Sequence, residues 1–419
     1  MNTVIVPQLP WHGIQDLKLT FPDTWQVEIC RMAGYNHTAL SKKQIEEAVQ
    51  NPVGMPPLRE LARGRKEAVI IFDDMTRATK VYEIVPSILR ELSKAGITDE
   101  HIRFIAAIGL HGVMNRTDFI KKLGEDIVTK YPVYNHNPFT NCQYVGATKV
   151  FGTKVYVNEE VVKCDLKIAI GSVVPHPIAG FGGGSKIILP GITSYETTEQ
   201  NHSNSIKVAM QAMKNAQENK SKPNIGMGVH DQNPVPLDSD EAAEMVKLDM
   251  LVNTLINERG ESVSIYAGAF KEVYTLATGE AKTHYITPAV KNKDIIIANT
   301  FAKSNEALIG LVITLPALSR NGGDIVIITN APEGQIPHYL TGAWGKTTFA
   351  KQYTRMPLPP YLNKIIVYDE YPHPGSRWME ASEKVIYLHE WQDVVDLLTT
   401  THGDKASLAV YPSADIQFI

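Results

Sequence analysis

KIAIGSVVPHPIAGFGGGSKIILPGITSYETTEQNHSN, Lys167 to Asn204, is the stretch on which the fold of this chain turns. Its first eight residues, Lys167 to Val174, form an apolar run of strand character. Pro175 and Pro177 then flank His176 and exclude helix there, because proline lacks an N–H and restricts the residue before it. Gly180, Gly182, Gly183 and Gly184 give a backbone that can approach a ligand closely and aim N–H groups at an anion. Ser185 and Lys186 add a hydroxyl and an amine, and His202 follows sixteen residues later, far enough to fold back. A polar loop at the end of an apolar strand is where open α/β sheets bind ligands.

Two earlier stretches repeat that grammar. Glu67 to Phe72 (EAVIIF) is a buried-strand pattern ending in Asp73-Asp74-Met75-Thr76-Arg77, and Ile102 to Ile108 ends in Gly109-Leu110-His111-Gly112. Val81 to Lys94 and Asn115 to Leu123 have helical spacing, so the order strand–loop–helix predicts parallel strands covered by helices. Around this core, residues 1–33 predict a small antiparallel sheet, and Asn204 to Asn215 and Glu241 to Arg259 predict helices. A second α/β pattern starts near Pro288. Its strands are Asp294 to Asn299, Asp324 to Thr329, Lys364 to Tyr368 and Lys384 to Leu388. Its covering helices are Asn305 to Ala317, Pro337 to Phe349 and Glu390 to Thr400. The expected fold class is α/β, with two Rossmann-like domains and the active site in the cleft between them. Residues 1–280 make the first domain and 288–405 the second, with a last strand (Leu408 to Pro412, within 406–419) rejoining the first.

Length and composition agree with that plan. A chain of 419 residues exceeds what one hydrophobic core organises. A hydrophobic content of 43% and a charged content of 21% are those of a globular protein. The net charge of −4 gives no electrostatic case for nucleic acid or membrane partners. Cys30, Cys142 and Cys164 lack CxxC spacing, which argues against a thiolate zinc site or a disulfide framework. The chain opens without a basic segment followed by a long apolar run, and nothing reaches the roughly 18 apolar residues of a spanning helix. A cytoplasmic location is the expectation.

The candidate chemistry lies at the three strand ends. GFGGGSK is near the P-loop GxxxxGK[ST], but Ile187 follows Lys186, so the hydroxyl that would hold magnesium is missing. A lysine on such a loop loses basicity when buried and then suits covalent attachment. His111 and His176 each follow an apolar strand directly, so two imidazoles can flank one substrate carbon, one taking a proton while the other gives one. Asp74 and Arg77 read equally as a helix cap and as a carboxylate site, since an arginine there can grip a carboxylate in bidentate fashion. An NAD(P)-dependent oxidoreductase is the competing enzyme, but GFGGGSK lacks the helix-opening GxGxxG spacing. A non-catalytic nucleotide-binding protein with structural histidines is the third reading.

DDMTR (Asp73 to Arg77), GLHG (Gly109 to Gly112), HPIAGFGGGSKIILPGI (His176 to Ile192) and His202 in NHSN together resemble the nickel-dependent lactate racemase family of 2-hydroxyacid racemases and epimerases. The likeness runs along the first 205 residues, and its HPxxGxGGGxKxxxPG block is long and specific. It implies a nickel-pincer nucleotide, pyridinium-3,5-bisthiocarboxylic acid mononucleotide carrying nickel (Ni) on its sulfur donors. In that light Lys186 is the residue that tethers the cofactor through a thioamide, and His202 the protein ligand to the metal. Asp74, Gly182, Gly183, Gly184 and Ser185 belong to the cofactor site, and Arg77 orients the substrate carboxylate. His111 and His176 are the paired general acid/base residues as the C2 hydride passes to C4 of the pyridinium. The partner implied is a small-molecule 2-hydroxyacid. One segment departs from the family's lactate enzymes, which place a YQxxK-type sequence early in a helix of the second domain. Here Asn299 to Leu315 reads NTFAKSNEALIGLVITL, with Lys303 and Glu306 its only charges. Lactate and a larger 2-hydroxyacid are therefore both open, and Lys303 or Asn305 is expected to reach the pocket.

Overall fold

A computed structural model describes residues 2–340, 358–372 and 383–419; the helix expected over Pro337 to Phe349 falls largely outside them. The apolar strands that carry the three polar loops lie side by side. Leu166–Ser172, Ala68–Asp73 and Ile102–Ala107 are adjacent and parallel in a six-stranded sheet, with Ile70 opposite both Ile168 and Phe104. Val133–Asn135 extends one edge; Met250–Ile256 and then the antiparallel Ser262–Gly268 extend the other. The central strands are buried on both faces, which is why they read as continuous apolar runs. Ile70 and Phe72 face a core built with Ile84, Ile88 and Leu92 of the helix Val81–Lys94. Val69 and Ile71 point the other way, onto Ile187, Leu189 and Leu251.

The second sheet also has six strands, all parallel. Across it run Val385–Leu388, Leu362–Tyr368, Gly323–Ile328, Ile295–Asn299, Ser407–Tyr411 and Gln26–Ile29. Two of these correct the expected division of the chain. The run after Trp25 does not join a local antiparallel sheet: only Asn2–Gln8 and Gln15–Phe21 form a hairpin, while Gln26–Ile29 takes the edge of the second sheet. The last strand, expected to rejoin the first domain, lies between Ile295–Asn299 and Gln26–Ile29. SLAVY buries nearly every residue there, and that double-sided burial decides its place. Only the tail beyond it crosses back: the Phe418 ring lies 5.9 Å from Phe181, and Phe418 O accepts from the Thr287 N–H.

The stretch Glu241 to Arg259 also differs from expectation. A helix, Pro234–Val246, ends at Lys247 in the left-handed region, and Met250–Ile256 is a buried strand. Periodicity alone does not separate a short buried strand from a buried helix. The helix expected over Asn305 to Ala317 breaks into short turns around Ile309–Thr314. Among the described residues no helix is long and apolar enough to cross a membrane.

Candidate active site

The three loops meet in one cavity with segments that follow two strands of the second sheet. Asp74, Arg77, His111, His176, Lys186 and His202 all line it, as do Gly182, Gly183 and Gly184, joined from across by Glu306 and His338. His202 arrives from the helix Tyr195–Glu218, whose start Ser194 caps. Nine of the ten residues singled out in the sequence thus share one space. Ser185 is the exception: it is buried, and its hydroxyl donates to Asp240.

Asp74 and His111 form a dyad. Asp74 Oδ2 lies 2.6 Å from His111 Nδ1, while Oδ1 accepts from the Thr76 amide and hydroxyl. A carboxylate at Nδ1 fixes the imidazole with its proton on that nitrogen and leaves Nε2 to the cavity. Burial opposes charge on Asp74, yet His111 first and then Arg77 hold its pKa down at about 2. Burial likewise works against His111, but Asp74 and Glu306 raise it above its usual value. Lys122, fully buried on the helix Arg116–Leu123, fixes the Asp73–Arg77 turn from beneath. Its ammonium meets Asp73 Oδ1 at 2.8 Å and donates to the Asp74 and Arg77 carbonyls at 2.9 and 2.8 Å.

Glu306 and Arg77 join the two sheets across the cavity. Arg77 Nη1 donates to Glu306 Oε2 at 3.0 Å, and Lys303 Nζ pairs with the same oxygen at 2.8 Å. Glu306 Oε1 is left 3.7 Å from His111 Nε2. Burial opposes ionisation, but Lys303 and Arg77 keep this carboxyl well below its ordinary range. Neither Lys303 nor Asn305 lines the cavity: Lys303 is buried beneath Glu306, and the Asn305 amide donates to the Met75 carbonyl at 3.4 Å.

His176 stands in a different environment from His111. Its Nδ1 accepts two backbone bonds, from Ile178 N–H at 3.2 Å and Ala179 N–H at 3.0 Å. Burial, and then Lys186, Lys303 and Arg77, push its pKa well below the usual value. The Lys186 amine makes no hydrogen bond or ion pair among the described residues, and burial with Arg77 and Lys303 lowers its pKa to about 8. Two amides of the glycine loop are bonded to protein: Gly182 N–H goes to Val174 O at 2.7 Å and Gly184 N–H to Asn253 Oδ1 at 3.0 Å. A Cβ on Gly183 would come within 2.9 Å of Ser172 O, and one on Gly184 within 2.6 Å of the Tyr274 ring. Close packing at positive φ is what these glycines serve.

His202 and His338 complete the wall. Among the described residues the buried His202 Nδ1 has no hydrogen-bond partner by geometry, while the Thr198 carbonyl one turn back works to raise the pKa of the ring. Burial, then Lys186 and His338, depress its pKa to about 3, so the ring is neutral and one of its nitrogens keeps a lone pair, as a metal ligand needs. Among the described residues no group of three His, Cys, Asp or Glu could hold a metal ion. His338 lies between, its ring 5.2 Å from His111 and 6.3 Å from His202. Its Nδ1 accepts the Leu340 N–H at 3.2 Å. Sequence reading missed His338 and gave Glu306 no role in the site. Nothing local marks either one, since the first packs through a bridge to His111 and the second pairs with a residue 229 positions away.

Residues 12–214 match the family described as the lactate racemase N-terminal domain. The chain is 28% identical over 312 residues to the lactate racemase of Lactiplantibacillus plantarum, covering 73% of this chain and 70% of the relative. It is 30% identical over 292 residues to that of Thermoanaerobacterium thermosaccharolyticum, covering 69% and 65% respectively. Among solved structures, the lactate racemase apoprotein from T. thermosaccharolyticum superimposes over 100% of this chain and 99% of its own, with a TM-score of 0.73 at 21% identity. A protein from Thermotoga maritima follows, with a TM-score of 0.66 at 18% identity, covering 92% of this chain and 100% of its own.

Proposed function

Because the chain belongs to the lactate racemase family, we propose that it is an isomerase inverting C2 of a 2-hydroxyacid with a nickel-pincer nucleotide. The observation that carries this reading is the meeting of the Asp74–His111 dyad with His176, Lys186 and His202 in one buried cavity. We read the two sheets as two Rossmann-like domains, with the site between them.

The residues fit the group. Lys186 is an amine of lowered basicity without a partner among the described residues, the property a thioamide tether needs, and His202 offers a buried, neutral imidazole. When bound, the nucleotide supplies the hydride-accepting carbon and the nickel that tunes it. The remaining tasks fall to the chain. Arg77 keeps guanidinium N–H groups beyond its bond to Glu306 and takes the substrate carboxylate. His111, with Asp74 behind it, moves the proton of the C2 hydroxyl, and His176 faces the same oxygen. Lys303 and Arg77 both pair with Glu306, which offsets the charge of that carboxylate beside the place an entering carboxylate would take.

The substrate is lactate or a larger 2-hydroxyacid; the stretch Asn299 to Leu315 lacks the YQxxK-type sequence of the lactate enzymes and has Lys303 and Glu306 as its only charges. The test is a screen of resolved 2-hydroxyacids against nickel-loaded protein in deuterated solvent. Inversion with the C2 hydrogen retained is expected, as hydride transfer requires, and exchange of that hydrogen with solvent would sink the mechanism. Lys186→Ala should abolish both inversion and the added intact mass of the tethered group, whereas a silent screen with fully loaded protein would refute the activity.

A further inference from the structure

A chain end ordinarily frays, because its last residues have few partners. Here the segment after the last strand, Pro412 to Phe418, is buried throughout. Three of its residues are polar, Ser413, Asp415 and Gln417, and none is more than 1% exposed. The fold accounts for Gln417: its side-chain amide donates to Cys30 O at 2.8 Å and Thr287 Oγ1 at 2.9 Å, and its oxygen accepts the Ser413 N–H. Asp415 is different. Its Oδ2 accepts the Lys303 N–H, yet Oδ1 is buried with no hydrogen-bond partner among the described residues. Burial pushes this carboxyl up to about 7 against the pull of Lys303. A half-satisfied buried carboxyl is costly, and an apolar side chain would fill the same space without that penalty.

The partner of Asp415 stands one step behind the cavity wall. Lys303 is 2% exposed, and its ammonium meets Glu306 Oε2 at 2.8 Å, the oxygen that Arg77 Nη1 reaches at 3.0 Å. The Glu306 N–H donates in turn to Lys303 O at 2.7 Å. The tail delivers Asp415 to this turn at a fixed register. Asn299, which ends the strand leading into it, gives its side-chain amide to Pro412 O at 2.7 Å and accepts the Ala414 N–H on its carbonyl at 2.8 Å. Three residues beyond Asp415, Phe418 packs on Phe181 of the glycine loop. One short segment thus grips the second-sheet wall of the site while resting on the first-sheet wall.

We infer that Asp415 is a positioning residue of this active site: it holds Lys303 from behind, so that the ammonium draws on Glu306 and leaves Arg77 able to take a substrate carboxylate. The inference rests on the racemase reading and deepens it. Glu306 Oε2 is shared between two cations. With Lys303 held in place, Arg77 neutralises only part of that carboxylate. Once Lys303 is released, Glu306 turns to Arg77 alone and competes with the incoming acid. The acid's carboxylate is gripped alike in the ground and transition states, so the loss falls on KM rather than kcat. A residue that merely supported the fold would act otherwise. It would lower the fraction of active protein, and with it the apparent kcat, at unchanged KM.

Alanine and asparagine separate these roles, since asparagine keeps an oxygen for the Lys303 N–H and alanine keeps none. In nickel-loaded protein, Asp415→Ala should raise KM for an inverted 2-hydroxyacid about tenfold, the size of one lost hydrogen bond to a charged group. Its kcat per bound nickel should stay within about threefold of native, and Asp415→Asn should bring KM back to within about threefold. A native KM in Asp415→Ala, or a loss confined to kcat, would overturn the inference. A second measurement needs neither turnover nor cofactor. Amide hydrogen exchange in cofactor-free Asp415→Ala should quicken about tenfold or more at Lys303 and Glu306, with Ile295–Asn299 unchanged and Asp415→Asn like native. Faster exchange across the whole second sheet would make Asp415 a support of the fold and overturn the assignment. Should Asp415→Ala not fold, the native protein decides. Protection of the Lys303 amide by about a hundredfold or more over open peptide upholds the grip, and exchange at the open rate overturns it. If loaded native protein inverts no 2-hydroxyacid, the racemase reading fails, while exchange at Lys303 still decides the part played by Asp415.

Discussion

At the scale of single residues, Asp74 sets what His111 can do. It is 4% exposed, orients the ring through Nδ1 and raises its basicity. Asp74→Asn should therefore move the acid limb of the pH–rate profile to lower pH, because neutral His111 persists further down. It should also cut the plateau by about a hundredfold or more, since the amide no longer fixes the tautomer. Stability carries the matching sign. A carboxyl lowered from 3.8 to about 2 stabilises the fold above the higher value, and that contribution is lost as pH falls through the lower. Acid unfolding of Asp74→Asn, followed by circular dichroism, should lose its steepness in that interval. His111 and Asp74 were legible in sequence because each follows an apolar strand, His111 with glycine beside it and Asp74 in the polar run that ends the strand. What was not legible was their pairing: Asp74 and His111 are 37 positions apart.

At the scale of elements, the Asp73–Arg77 turn is the piece everything else is aimed from. It looks like a helix cap in sequence, and the helix Val81–Lys94 indeed follows it, but no side chain of the turn caps that helix. Its conformation is held instead by Lys122, whose three donors are matched by Asp73 and two carbonyls while its ammonium lies 5.0 Å from the Trp11 ring. Removing one partner of a buried ion pair leaves the other charge uncompensated, at a cost of about 3–5 kcal/mol. Lys122→Met should lower stability by that order, read as a shifted urea midpoint at unchanged slope, and should lower turnover as the turn relaxes. An unchanged midpoint would show that the turn holds itself. A lysine inside an amphipathic helix gives no local sign of such a role, because sequence patterning assigns charges to the solvent face.

At the scale of the molecule, the site exists only because the two sheets approach closely, and Gly112 measures that approach. Its N–H donates to Pro337 O at 2.9 Å, Tyr339 N–H returns a bond to Leu110 O, and a Cβ at 112 would lie 2.8 Å from Pro337 Cγ. Gly112→Val should push His338 and Glu306 away from His111 without disturbing either core. A loss of kcat/KM of about tenfold or more, with a melting temperature changed by only a few degrees, is the expected result. A variant with native kcat/KM would mean that the contact is incidental. The sequence by itself determined the α/β class, the three central strands and the polar residues at their ends, because local periodicity and glycine or proline punctuation dictate those. Only the tertiary structure decided which sheet the chain ends enter, that Glu306 and His338 face His111, and that His111 and His176 are bonded in opposite senses. Those outcomes depend on partners tens to hundreds of residues away, which no local pattern encodes.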